Sequence, residues 1–201
     1  MRATFKALAA AAMLAGLGPA TGLAQPAAQR PAAPAPAAPA DSSPDRTMAV
    51  FTDWVVRCEA RAAGGGAPAA RLCEMAQTTQ DQRQQPVAVL AIGRTAKGEP
   101  LRLVAQVPVN IQVGPPARLV LEIPNRPAEA PLVIAFRNCM PRGCFAELEL
   151  RDEAVLRRLR GRPAEAAGRL EWKDAGGGDA SVPVSFRGFG AALDALAKEG
   201  E

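Results

Sequence analysis

The chain has no histidine and no tyrosine in its 201 residues. Histidine is the side chain whose unperturbed pKa lies nearest neutrality, and it is the usual proton acceptor for a serine or cysteine nucleophile. Its absence removes the common hydrolytic triads, and the absence of tyrosine removes the phenolic alternative. Aromatic residues make up only 4% of the chain, as two tryptophans and six phenylalanines. That leaves few rings on which nucleotide bases could stack. After the first residues no apolar run approaches the roughly 20 residues that a membrane-spanning helix needs. The two glycine triplets, Gly64-Gly65-Gly66 and Gly176-Gly177-Gly178, lack the lysine and the strand-to-helix setting of a phosphate-binding loop. These absences leave enzyme as the weakest class, with no catalytic residue and no cofactor-binding or metal-binding residue to nominate.

What is present begins with an export signal. Arg2 and Lys6 form a positive head, residues 7–17 are apolar but short for a span, and Gly22 and Ala24 are small residues at the cleavage-determining positions. Residues 1–24 are therefore expected to be a signal peptide cleaved after Ala24, and the mature protein to be periplasmic or secreted. The whole chain carries 24 Lys and Arg against 20 Asp and Glu. Loss of Arg2 and Lys6 leaves 22 against 20, a net charge of +2. The pI of 9.2 thus overstates the attraction to polyanions. Residues 25–47 are rich in proline and alanine and hold no large apolar side chain. Such a tract cannot bury enough surface to offset its ordering entropy, and it reads as a disordered, semi-rigid spacer. It is either a stalk or an export-compatible tail.

Residues 48–201 are the size of one ordinary domain. Short apolar or alternating runs separated by Gly and Pro fill it: residues 50–58, 72–75, 86–92, 101–107, 118–123, 132–136, 146–150, 169–172 and 181–186. Residues 60–70 read as a loop. Two short helices are expected. Residues 152–160 carry acids first and arginines last, which complements the helix dipole, with a favourable Glu153–Arg157 pair. Residues 189–198 space Phe189, Ala192, Leu193 and Leu196 along one face, with Gly200 as a stop. The pattern predicts an all-β, mainly antiparallel domain of sandwich or barrel type with two short helices.

Four cysteines in an exported chain suit two disulfides, for which three connectivities exist. Proximity favours Cys58–Cys73 and Cys139–Cys144, each flanking a loop between predicted strands. The first would close a loop of about 15 residues, worth roughly 3 kcal/mol in the chain-entropy view. The second sits around Met140-Pro141-Arg142-Gly143, a turn sequence. Zinc held by all four sulfurs is the rival, but neither spacing is the short CxxC of a zinc ribbon. A redox pair at Cys139 and Cys144 is a further alternative; such pairs favour CxxC at a helix N-terminus, and here the second cysteine opens a strand.

Several features then carry a resemblance. Trp54 stands four residues before Cys58, followed by Cys73 and by the segment VPVNIQVGPP at residues 107–116. Cys139-Met140-Pro141-Arg142-Gly143-Cys144 and the closing FRGFGAAL of residues 186–193 come after it. In their order and spacing the chain resembles the invasion-associated locus B family, exported proteins of alphaproteobacterial type. The likeness covers the domain and leaves out the Pro/Ala tract; the Gly/Pro/Ala loop between Cys58 and Cys73 is a departure. It implies an all-β, disulfide-bearing envelope or secreted protein, linked in some pathogenic relatives to host-cell invasion, and no defined reaction.

The candidate interaction surface is the arginine cluster Arg151, Arg157, Arg158, Arg160 and Arg162, placed to meet anionic lipid head groups, phosphates or an acidic protein, with a plain solvated helix face as the alternative. Glu147 and Glu149 share one strand face and are expected to be a polar surface rather than a carboxylate dyad. Trp54 and Trp172 are expected in the core. Val109, Ile111 and Val113 form an apolar edge that a covering segment would hide. The function these readings support is an exported, non-catalytic interaction protein with an unknown protein or envelope partner and no nucleic acid. A periplasmic housekeeping or chaperone-like factor and a thiol–disulfide enzyme are the alternatives.

Overall fold

The computed structural model describes residues 44–61, 70–123, 125, 127 and 129–199. The expected signal peptide, most of the expected spacer, the glycine loop at residues 62–69 and the stop at Gly200 lie outside them. Twelve elements follow in order among the described residues. They are β1 (Arg46–Phe51), β2 (Trp54–Arg61), β3 (Ala70–Gln80), β4 (Pro86–Gly93), β5 (Arg102–Val107), β6 (Ala117–Glu122), β7 (Leu132–Met140), β8 (Gly143–Glu149), α1 (Glu153–Arg160), β9 (Ala167–Lys173), β10 (Asp179–Ser185) and α2 (Phe189–Glu199). The strands make one antiparallel sheet in the order β1-β2-β3-β4-β5-β8-β7-β6-β9-β10. The fold class read from the sequence is the one observed.

Side-chain alternation explains how the sheet buries a core. Trp54, Val56 and Cys58 on β2, Met75 on β3, Leu90 and Ile92 on β4, and Leu103 and Ala105 on β5 face inward and are all buried. The intervening residues face out and pair across strands, as in Arg57 with Glu74 at 2.5 Å. The sheet curls so that β10 returns to β3. There Gln77 Nε2 donates to Ser185 O (3.2 Å), Ser185 N donates to Gln77 Oε1 (2.9 Å), and Thr79 Oγ1 donates to Pro183 O (3.1 Å). Side chains thus join two strands that the ladder does not, and the open sheet becomes sandwich-like. Trp54, fully buried, donates from Nε1 to Ser185 O (2.9 Å) and meets Phe189 of α2 edge-on, 4.9 Å between ring centres.

The structure differs from the sequence reading at four places. Residues 50–58 are not one run. Thr52 and Asp53 make a tight turn with Thr52 at φ 57°, and no Gly or Pro marks it. The first strand also takes in Arg46 and Thr47, which composition alone assigns to the spacer. On β7 the register shifts between Phe136 and Asn138, so Arg137 is an extra residue in a bulge. The helix α1 starts one residue later than the pattern suggests because Asp152 caps it, its carboxylate accepting from Ala154 N at 2.7 Å.

Candidate functional site

The four cysteines are paired as Cys58–Cys73 and Cys139–Cys144, with none free. Each joins residues directly opposite on adjacent antiparallel strands. Ala60 N donates to Asp45 O (2.8 Å), so by alternation the backbone groups of Cys58 also point toward β1. Its pairing with Cys73 is then a non-hydrogen-bonded one, where facing side chains come closest. Cys139 and Cys144 flank the Met140–Gly143 closing pair of a two-residue turn and occupy the equivalent position. Zinc held by all four sulfurs is replaced by two bonds in two separate hairpins.

Accessibility divides each bridge. Cys73 is half-buried and Cys139 exposed, whereas Cys58 and Cys144 are 2% and 0% exposed. A thiolate attacking the accessible sulfur would expel the other as a thiolate into an apolar core, which disfavours the charged form. That charge cost works against exchange at the accessible sulfur of either bridge. Replacing Cys139 and Cys144 together by serine should cost about 2 kcal/mol, as expected for a loop this short, and leave the fold intact; urea unfolding of the double variant measures it.

The arginine cluster is largely committed within the chain. Arg151 pairs with Glu149 (2.6 Å), Arg160 with Asp194 of α2 (2.9 Å), and Arg158 with Glu129 (3.5 Å). Arg162 corrects the surface reading outright. Its side chain is 1% exposed, with Nη2 donating to Glu129 Oε2 (2.7 Å), Nη1 to Glu122 O (3.3 Å), and the guanidinium 5.3 Å from the Phe186 ring centre. Burial lowers its pKa, and the Glu129 carboxylate works against that shift. Arg157 is exposed and makes no ion pair among the described residues, so the expected Glu153–Arg157 pair is not formed.

Glu147 and Glu149 lie on the outer face and share Arg102, whose Nη1 and Nη2 reach them at 3.2 Å each. They form a charged ladder, not a dyad. The hydrogen bond and charge of Arg151, more than those of Arg102, hold the Glu149 carboxyl below its ordinary pKa of 4.5. A lowered folded-state pKa means that the stabilisation is present above the unfolded pKa and is lost as pH falls through the folded one. In an NMR titration, Arg151→Gln should move the Glu149 carboxyl back up toward the ordinary value.

Trp172 is 7% exposed, as expected of a core residue. The segment after β5 is half covered. Ile111 bridges to Asp174 and Gln112 N donates to Lys173 O (3.0 Å), while Val109 and Val113 remain 47% and 59% exposed. Sequence reasoning missed a cleft of about 450 Å³ at the end of β2, β3 and β4, lined by both Arg61 and Arg94. Nothing local marks these two arginines among the many others in the chain. No helix among the described residues is long and apolar enough to cross a membrane.

Among solved structures, the chain is similar to the crystal structure of invasion associated protein B from Bartonella henselae. The TM-score is 0.57 at 21% identity over 76% of this chain and 96% of that one, a likeness of fold. No curated protein sequence matches the chain. The family model of the invasion associated locus B (IalB) protein matches residues 54–197. That stretch runs from the buried Trp54 through both disulfide hairpins and into α2, and the chain belongs to the IalB family.

Proposed function

We propose that the protein is an exported, non-catalytic interaction protein of the cell envelope or its surroundings, acting as a rigid docking body. The observation that carries this reading is the pair of cross-strand disulfides stapling the curled sheet, each with one sulfur sealed in the core. Bridges of that kind suit an oxidising compartment and a scaffold role. On the outer face Arg57 pairs with Glu74, and Arg102 with Glu147 and Glu149, so these carboxylates are engaged in ion pairs. The name of the Bartonella protein, invasion associated protein B, makes host-cell contact the first partner class to test. The test is fractionation of the native cell followed by crosslinking capture with the mature protein. Surface exposure or release, with a crosslinked envelope or host protein, supports the reading; a chain confined to the cytosol with reduced cysteines defeats it.

A second reading is a periplasmic factor that assists other envelope proteins. It is favoured by β1, an edge strand whose Met48 and Val50 are 73% and 67% exposed. Retention in the periplasm with bound client chains would select it. A thiol–disulfide enzyme is the remaining alternative, and a Cys139–Cys144 reduction potential well below about −300 mV closes it.

A further inference from the structure

We infer that the cleft at the end of β2, β3 and β4 is a binding site for a phosphomonoester group, held between Arg61 and Arg94. The cleft encloses about 450 Å³ and is lined chiefly by Arg57, Arg61, Leu72, Glu74, Arg94 and Thr95. Its charges do not cancel. Glu74 is taken by Arg57 at 2.5 Å, and Glu59, also in the lining, by Arg46 at 3.1 Å. Arg61 and Arg94 are left, and neither makes an ion pair among the described residues. Arg94 spends its Nε on the Glu99 carbonyl (3.0 Å), a bond that orients the guanidinium, and its terminal nitrogens have no partner among the described residues.

Two uncompensated guanidiniums in one concavity match a dianion. A phosphomonoester is close to doubly charged at pH 7, because its second pKa is near 6, and it presents three acceptor oxygens. Guanidinium groups bind such oxygens through paired N–H donors, and a cleft shields that interaction less than open surface does. Leu72 gives the cleft an apolar patch on which the carbon skeleton of the ester can rest. Unpaired arginines elsewhere lack this setting: Arg157 stands on the exposed face of α1. The same group could arrive on a lipid or on a small soluble ester. This inference stands on the cleft alone and does not depend on export or on a protein partner.

The test uses the purified full chain in two arms: calorimetric titration with glycerol 3-phosphate, and co-sedimentation with phosphatidic acid in phosphatidylcholine vesicles. Saturable binding is expected in at least one arm, which also identifies the source of the phosphate. The combined Arg61→Gln and Arg94→Gln variant should weaken it tenfold or more, whereas Arg157→Gln should change it less than twofold. Unfolding midpoints of the variants, both at exposed or half-buried positions, check that folding is intact. Absence of saturable binding in both arms overturns the assignment, as does equal weakening by the cleft and α1 variants.

Discussion

Gly188→Ala should destabilise the domain by about 3–5 kcal/mol, seen as a lowered urea midpoint. Gly188 sits at φ +82°, and a Cβ built there would lie 1.9 Å from the Phe51 carbonyl oxygen and 2.6 Å from its carbon. The obstacle is backbone, so no side-chain rotation relieves it. Nor can that backbone easily retreat. It leads into the turn at Thr52 and Asp53, where Asp53 N donates to Arg187 O at 3.4 Å and Trp54 is bonded to Ser185 O. Gly188 also starts α2, its carbonyl accepting from Ala192 N at 2.9 Å. One methyl group therefore pushes on the first hairpin, on α2 and on the Trp54–Phe189 contact together. Gly98→Ala is the control: φ is +86° but nothing lies within 4 Å of the added carbon. It should cost only the left-handed backbone penalty of about 1–2 kcal/mol. If the two variants unfold at the same midpoint, the close approach at Gly188 is not what the fold depends on.

The same comparison shows what could be read from the chain and what could not. Strands β4, β5 and β6 and the β7–β8 hairpin announce themselves through apolar runs and alternation bounded by Gly and Pro, signals that lie within a few residues. The disulfide partners were legible for a related reason: each pair flanks one turn. The Thr52–Asp53 turn was not legible, because what permits it is Gly188 against Phe51, a contact between chain ends. The order β5-β8-β7-β6-β9 leaves no local mark either, since it depends on which outward and inward rows match after curling. The candidate cleft is hidden for the same cause. Arg61 and Arg94 come to line one cleft only once β2, β3 and β4 are laid side by side, and a sequence rich in arginine gives them no distinction. Arg162 is the instructive miss. Following Arg157, Arg158 and Arg160 and preceding a proline, it reads as one more solvated cation, and tertiary partners decide otherwise.

Those partners set the second large effect. Glu129→Gln should cost about 3 kcal/mol, although Glu129 itself is 27% exposed. Its Oε2 takes both Arg162 (2.7 Å) and Arg158 (3.5 Å), and the Nε atoms of both arginines are buried with no hydrogen-bond partner among the described residues. Removing the carboxylate charge leaves two neighbouring guanidiniums with no acid between them. Arginine does not give up its proton near neutral pH, so the cost falls on packing and hydration. Arg162→Met removes the buried cation instead. It fills similar space against Phe186, leaves Glu129 its pair with Arg158, and should cost about 1 kcal/mol. The combined variant should be less destabilised than the sum of the two single changes, because only one of the two guanidiniums that Glu129→Gln strands, the less buried Arg158, then remains. A surface cluster predicts the opposite pattern: each change within about 1 kcal/mol and the two additive. Urea unfolding of the three variants separates these outcomes. A small effect of Glu129→Gln would return Arg162 to the solvated face from which its sequence neighbours suggest it comes.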